Sequence, residues 1–119
     1  MRESILSSKS FDFALRIIKL SRYLQNTHCE YILSKQLLRS GTAVGALIRE
    51  AQYAESKADF LHKLSISLKE INETRYWLEL IFQSDYITDT MYKSIEPDSE
   101  ELLKLLISST KKVKQNAKK

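Results

Sequence analysis

Apolar residues recur every three or four positions along most of this chain, with polar residues between them. That is the period of an amphipathic helix, not of a strand. Over about 8–25, "SKSFDFALRIIKLSRYLQ" places Ala14, Ile17 or Ile18, Ser21 and Leu24 on one stripe, with Arg16, Lys19 and Arg22 between them. "NTHCE" then reads as a short polar loop. A second helix is predicted over 31–55, on the stripe Leu33, Leu37, Gly41, Val44, Ile48 and Ala51. A third is predicted over 56–84, on Phe60 or Leu61, Leu64, Leu68, Ile71, Leu78 and Ile81 or Phe82. Ser56 stands as its N-cap with Asp59 three positions on, the spacing of a capping box. The break between these two helices is a residue or two, so a tight antiparallel hairpin is expected rather than one long uncapped rod. A fourth helix, 88–115, carries Met91, Ile95, Leu102, Leu105 or Leu106, and Val113. Pro97 lies inside its register, removes a donor and crowds the preceding turn, which predicts a break or kink near residues 96–97. Residues 116–119 are expected to fray as a basic tail. Four amphipathic helices with short loops predict an all-α, up-down-up-down antiparallel four-helix bundle, a single domain over 1–119.

Composition agrees. Two glycines and one proline in 119 residues are too few for the turns of an all-β fold. One cysteine, Cys29, allows no internal disulfide and suits a reducing, cytoplasmic setting, where it reads as an inert thiol. "MRESILSSKSFDF" has no uninterrupted apolar core of a signal peptide, and no apolar run is long enough to span a membrane. No signal peptide and no membrane partner are expected.

The net charge is +4, and its placement is uneven. Residues 1–25 carry five basic and two acidic side chains, and 30–84 seven of each. Residues 85–103 carry one basic and six acidic, and from Lys104 onward there are six lysines and no acid. Acids at the start of the fourth helix and lysines at its end complement the helix dipole. The same basic ends, Arg16, Lys19 and Arg22 with Lys111, Lys112 and Lys114 (and Lys118 and Lys119 beyond them), are also the candidate nucleic-acid contacts.

The glycines, Gly41 and Gly45 in "RSGTAVGALIREA", lack the strand before and the Lys-Ser/Thr after that a phosphate loop needs. Among small neighbours (Ser40, Thr42, Ala43, Ala46) they read as a packing notch, level with Ile71 and Ser67 and facing the third helix. For a metal bundle, His62 has an acid three residues before it, Asp59, but the second Glu-x-x-His pair is missing, and adjacent His28 and Cys29 are poorly spaced. No nucleophile elbow surrounds any serine. So no catalytic or metal residues, no cofactor and no small-molecule substrate are expected, and the chain reads as a non-enzyme. Arg75 falls on the extended apolar stripe of the third helix and must pair or snorkel, within a charged set that includes Arg49, Glu50, Lys69, Glu70, Glu73 and Glu79. Tyr76 and Trp77 point about 100° apart and cannot both enter one core. With Tyr53 and Arg75 they mark a candidate self-association surface.

"SKQLLRSGTAVGA", "REAQYAESKADF" and "LKEINETRYWLEL" together resemble the four-helix-bundle proteins encoded in intervening sequences of bacterial 23S ribosomal RNA genes. The resemblance is close over 33–81 and extends in pattern over the outer helices. The family usually has asparagine where Leu47 stands. The resemblance implies a four-helix protomer in a homopentameric ring. A related accessory protein of diversity-generating retroelements forms a basic pentameric barrel beside a reverse transcriptase. Through that likeness the implied partners are other copies of the chain, and RNA or a nucleic-acid enzyme. Five copies of a modest positive charge would sum to a strong field. An adaptor that docks a protein partner through Tyr53, Tyr76 and Trp77 is the alternative.

Overall fold

The predicted stripes become four helices: α1 (Arg2–His28), α2 (Leu33–Ala51), α3 (Lys57–Gln83) and α4 (Asp89–Ala117). This computed structural model describes residues 2–117, and the side chains of 5–116. Helix α1 packs on α2, α2 on α3 and α3 on α4, and α4 closes on α1 by the thinnest seam; among the described residues the backbones of diagonal helices do not approach closely. The result is an antiparallel four-helix bundle measuring 51 × 22 × 20 Å. Among the described residues no helix is long and apolar enough to cross a membrane.

The helix ends differ from the sequence expectation for local reasons. "NTH" continues α1 instead of forming a loop, and the helix stops where Cys29 takes a left-handed φ of 52°. Helix α2 starts after residue 31 because Glu30 caps it. Its carboxylate accepts from the Ile32 and Ser34 amides at 3.2 and 2.8 Å, and Ser34 Oγ donates to its carbonyl at 2.7 Å. The hairpin turn takes residues 52–56, so α2 ends earlier than predicted. Ser56 is the N-cap of α3, accepting from Asp59 N at 3.0 Å, while Asp59 Oδ2 accepts from Glu55 N. Helix α3 closes in a Schellman motif around Asp85, φ 66°, with Tyr86 N donating to Ile81 O and Asp85 N to Phe82 O.

Helix α4 runs unbroken through Pro97, against the expected break. Proline withholds a donor from Lys93 O and strains the turn before it. The next carbonyl, Ser94 O, accepts from Arg16 Nη1 at 2.9 Å, so the disturbed turn is held from α1. The helix continues to Ala117, which includes residues 116–117 of the expected tail; 118–119 lie outside the described residues.

The core is a column of Phe13, Ile17, Leu24, Leu37, Val44, Ile48, Leu64, Ile71, Leu78, Ile81, Leu102 and Leu106. On α1 the inward row is Leu6, Phe13, Ile17, Leu20 and Leu24; Ala14, placed on the core stripe by periodicity, is half-buried at the α1–α2 groove. Between α2 and α3 the packing is partly polar: Ser67 Oγ donates to Val44 O and Thr74 Oγ1 to Ser40 Oγ, both at 2.9 Å.

That register keeps the expected levels of the glycines but turns them elsewhere. They face α1, not α3. A Cβ on Gly41 would stand 2.8 Å from both γ carbons of Ile17, and one on Gly45 would stand 3.3 Å from Ser10 Oγ and 3.4 Å from its carbonyl oxygen. Ser40 and Val44 supply the face toward α3.

Candidate functional site

The six basic residues singled out in the sequence do not form one patch. Arg16 is committed within the chain: Nη1 also reaches Asp98 Oδ2 at 2.5 Å, and Nη2 donates to Ser94 Oγ at 2.6 Å. Lys19 and Arg22, further along α1, are exposed and make no ion pair among the described residues; nor do Lys111, Lys112 and Lys114. Arg16–Asp98 and Lys9–Glu101 fix the register of the antiparallel seam and place Lys19 near the level of Ser94. Lys111 lies 17 residues beyond Ser94, which at about 1.5 Å per residue is about 25 Å along the bundle. There are two basic regions, one toward each end.

The acids of α4 are largely neutralised within the chain. Besides Asp98 and Glu101, Glu96 Oε2 meets Arg75 Nη2 at 3.1 Å, and Glu100 meets Lys104 at 2.9 Å. Lys104, by hydrogen bond and charge, lowers the pKa of Glu100.

Near Lys19, α1 and α4 part into a groove of about 430 Å³. Leu20, Met91 and Ile95 line it with Tyr23, and Arg16, Lys19, Thr90 and Ser94 contribute its polar lining. Tyr23 meets His28 edge-to-face at 5.5 Å between ring centroids, and His28 meets Tyr86 at 5.4 Å. The sequence reading missed this aromatic chain because Tyr23 and His28 lie near the end of α1 and Tyr86 in the distant α3–α4 loop, so only the fold brings them together.

The four predicted association residues also separate. Tyr53, 83% exposed, lines a groove of about 860 Å³ between α1 and α2, with Phe11, Ala14, Thr42, Gly45, Ala46 and Arg49. Tyr76, 56% exposed, and Arg75 lie at a hollow of about 320 Å³ between α3 and α4, with Glu79, Tyr92 and Glu96. Arg75 is paired, as its stripe position required: Nη1 donates to Ser99 Oγ at 2.9 Å and Nη2 to Glu96. Tyr92 stacks on Phe82 at 4.3 Å, and burial, then the charges of Glu96 and Glu79, raises its phenol pKa. Trp77 turns back toward α2, donating from Nε1 to Glu73 Oε2 at 2.9 Å; Arg39 bonds the same carboxylate, and Glu70 at 3.3 Å. Phe11 and Leu15, 54% and 46% exposed, were missed. Their sign is a second row on α1, Phe11, Leu15, Ile18 and Arg22, at steps of four, three and four.

Among the described residues no group of three His, Cys, Asp or Glu side chains is placed to hold a metal ion. The arrangement offers cations, hydroxyls and aromatic faces in open grooves, the chemistry of binding.

The family model described as 23S rRNA-intervening sequence protein matches residues 2–108. A crystal structure at 1.70 Å of a protein with unknown function from the S23 ribosomal protein family of Bacteroides thetaiotaomicron superposes with a TM-score of 0.91. It is 53% identical in sequence, over 93% of this chain and 99% of that one. No curated protein matches the chain.

Proposed function

The chain belongs to the 23S rRNA-intervening sequence protein family, and from that premise we propose a non-enzymatic, homo-oligomeric bundle that binds RNA in the cytoplasm. The observation that carries the reading is the contrast in charge. Four acids of α4, Glu96, Asp98, Glu100 and Glu101, are paired with Arg75, Arg16, Lys104 and Lys9, while Lys19, Arg22, Lys111, Lys112 and Lys114 face solvent without ion pairs among the described residues. Phosphate contact by such side chains gives affinity without sequence preference.

The assembly is a pentamer on the family resemblance. A ring requires two different faces on each protomer. The α1–α2 groove with Phe11 and Tyr53 and the α3–α4 hollow with Tyr76 lie on opposite sides of the helix cycle and supply such a pair. Repetition around a ring multiplies each basic end.

The test is binding to 23S ribosomal RNA across a salt series. Affinity is expected to fall as salt rises, with a log–log slope of about 0.7–0.9 per phosphate contact. Replacing Lys111, Lys112 and Lys114 by glutamine is expected to reduce that slope by about 2–3 if each lysine makes one contact. Salt-independent binding, or none, rejects the reading. The adaptor alternative rests on the exposed Tyr76 ring against Trp77, 5.2 Å between centroids. Protein capture that survives nuclease and is lost in Tyr76→Asp favours it.

A further inference from the structure

We infer that the groove between α1 and α4 seats an unpaired nucleotide, so that this protein prefers single strands to duplex. The inference rests on the nucleic-acid reading above and names the form of the ligand.

The groove, about 430 Å³, falls within the range of about 300–1,000 Å³ usual for small-ligand clefts. Its apolar floor, Leu20, Met91 and Ile95, suits the face of a base and offers little to a phosphate. Tyr23 adds a ring that is positioned in advance, because His28 packs edge-to-face on it and Tyr86 packs on His28 in turn. Aromatic faces of this kind bind bases with little sequence preference.

The charge complements a nucleotide in the same orientation. Arg16 is already neutralised by Asp98, so it adds little net attraction. Lys19 is exposed and without an ion pair among the described residues, and Arg22 follows it by three residues on α1, close enough to meet the next phosphate. Thr90 and Ser94 hydroxyls on the opposite lip can bond a sugar or a base edge. A duplex keeps its bases stacked and paired, so it could offer this groove only its backbone. The groove also lies on the α4–α1 side of the helix cycle, away from the two faces assigned to assembly.

The experiment measures anisotropy of labelled single-stranded RNA, DNA of the same sequence and the corresponding RNA duplex with the intact protein. Both single strands are expected to bind more tightly than the duplex. Tyr23→Leu is expected to weaken single-strand binding about 5- to 100-fold, the loss of one stacked base, with duplex binding unchanged. Tyr23→Phe keeps the ring and is expected to bind as the parent does. Since Tyr23 is half-buried, Thr90→Glu is the second variant. It lies at an exposed position, leaves the aromatic wall intact and sets a negative charge on the lip, and is expected to remove the single-strand preference. Equal or tighter duplex binding, unmoved by either change, overturns the inference and leaves the RNA reading standing. No binding in any arm overturns both. Capture of a protein, in place of nucleic acid, that is lost in Thr90→Glu reassigns the groove and overturns the inference.

Discussion

Gly41 and Gly45 occupy one face of α2 but meet different neighbours, and that separates their mutational costs. At Gly41 an added methyl would stand 2.8 Å from a fully buried, β-branched Ile17, whose γ carbons cannot swing aside. Overpacking costs about 1–3 kcal/mol, against about 1 kcal/mol gained in helix propensity. Gly41→Ala should therefore lower the denaturation midpoint, by a net loss of up to about 2 kcal/mol. At Gly45 the contacts are 3.3 and 3.4 Å, to Ser10, and a small shift of α1 relieves them. Gly45→Ala should fall within about 0.5 kcal/mol of the parent, because the two terms nearly offset. Urea denaturation of both variants checks the pair; a stabilised Gly41→Ala protein would remove the notch from the account. The sequence already pointed to these glycines as a packing notch, and roughly to their level. It did not show which neighbour they meet, since one stripe position serves two adjacent helices and only the packed register separates them.

At the scale of elements, the helices were legible because burial imposes the 3.6-residue period, and the Ser56 cap because its partner lies three residues away. Ends set by less common chemistry were not: a glutamate caps α2, and Cys29 and Asp85 take a conformation usually left to glycine. Asp85→Gly should accordingly raise stability by about 0.5–1 kcal/mol, read as a higher thermal midpoint. The persistence of α4 through Pro97 was equally hidden, because its support comes from another helix. If Arg16 compensates the turn that Pro97 disturbs, the two residues are coupled. Arg16→Gln alone should cost about 1 kcal/mol, because Ser94 O and Asp98 are partly exposed and water replaces part of the lost bonding. With Pro97→Ala in place the restored amide relieves the turn, and the cost of Arg16→Gln should shrink by at least about 0.5 kcal/mol. A double-mutant cycle in urea measures this, and strict additivity would mean that Arg16 only pairs with Asp98. The same cycle bears on the site, since an arginine needed to hold α4 is poorly free to bind RNA.

For the whole molecule, a sequence lists surplus aromatics but not the sides on which they emerge. Tyr53 and Tyr76, grouped on composition, open onto opposite grooves because the helices follow one another around the bundle. That separation has a consequence for assembly. An isologous dimer needs one self-complementary face, whereas a ring joins one face to a different one. Phe11→Asp places a charge on the α1–α2 face and Tyr76→Asp on the α3–α4 face, both at exposed positions where the fold tolerates it. Each variant alone should sediment as a monomer with unchanged helical circular dichroism. Mixed in equal amounts, they should form a heterodimer and nothing larger, since each retains the face the other has lost. Variants that stay assembled, or a mixture that stays monomeric, would show that copies of this chain do not meet through these two faces.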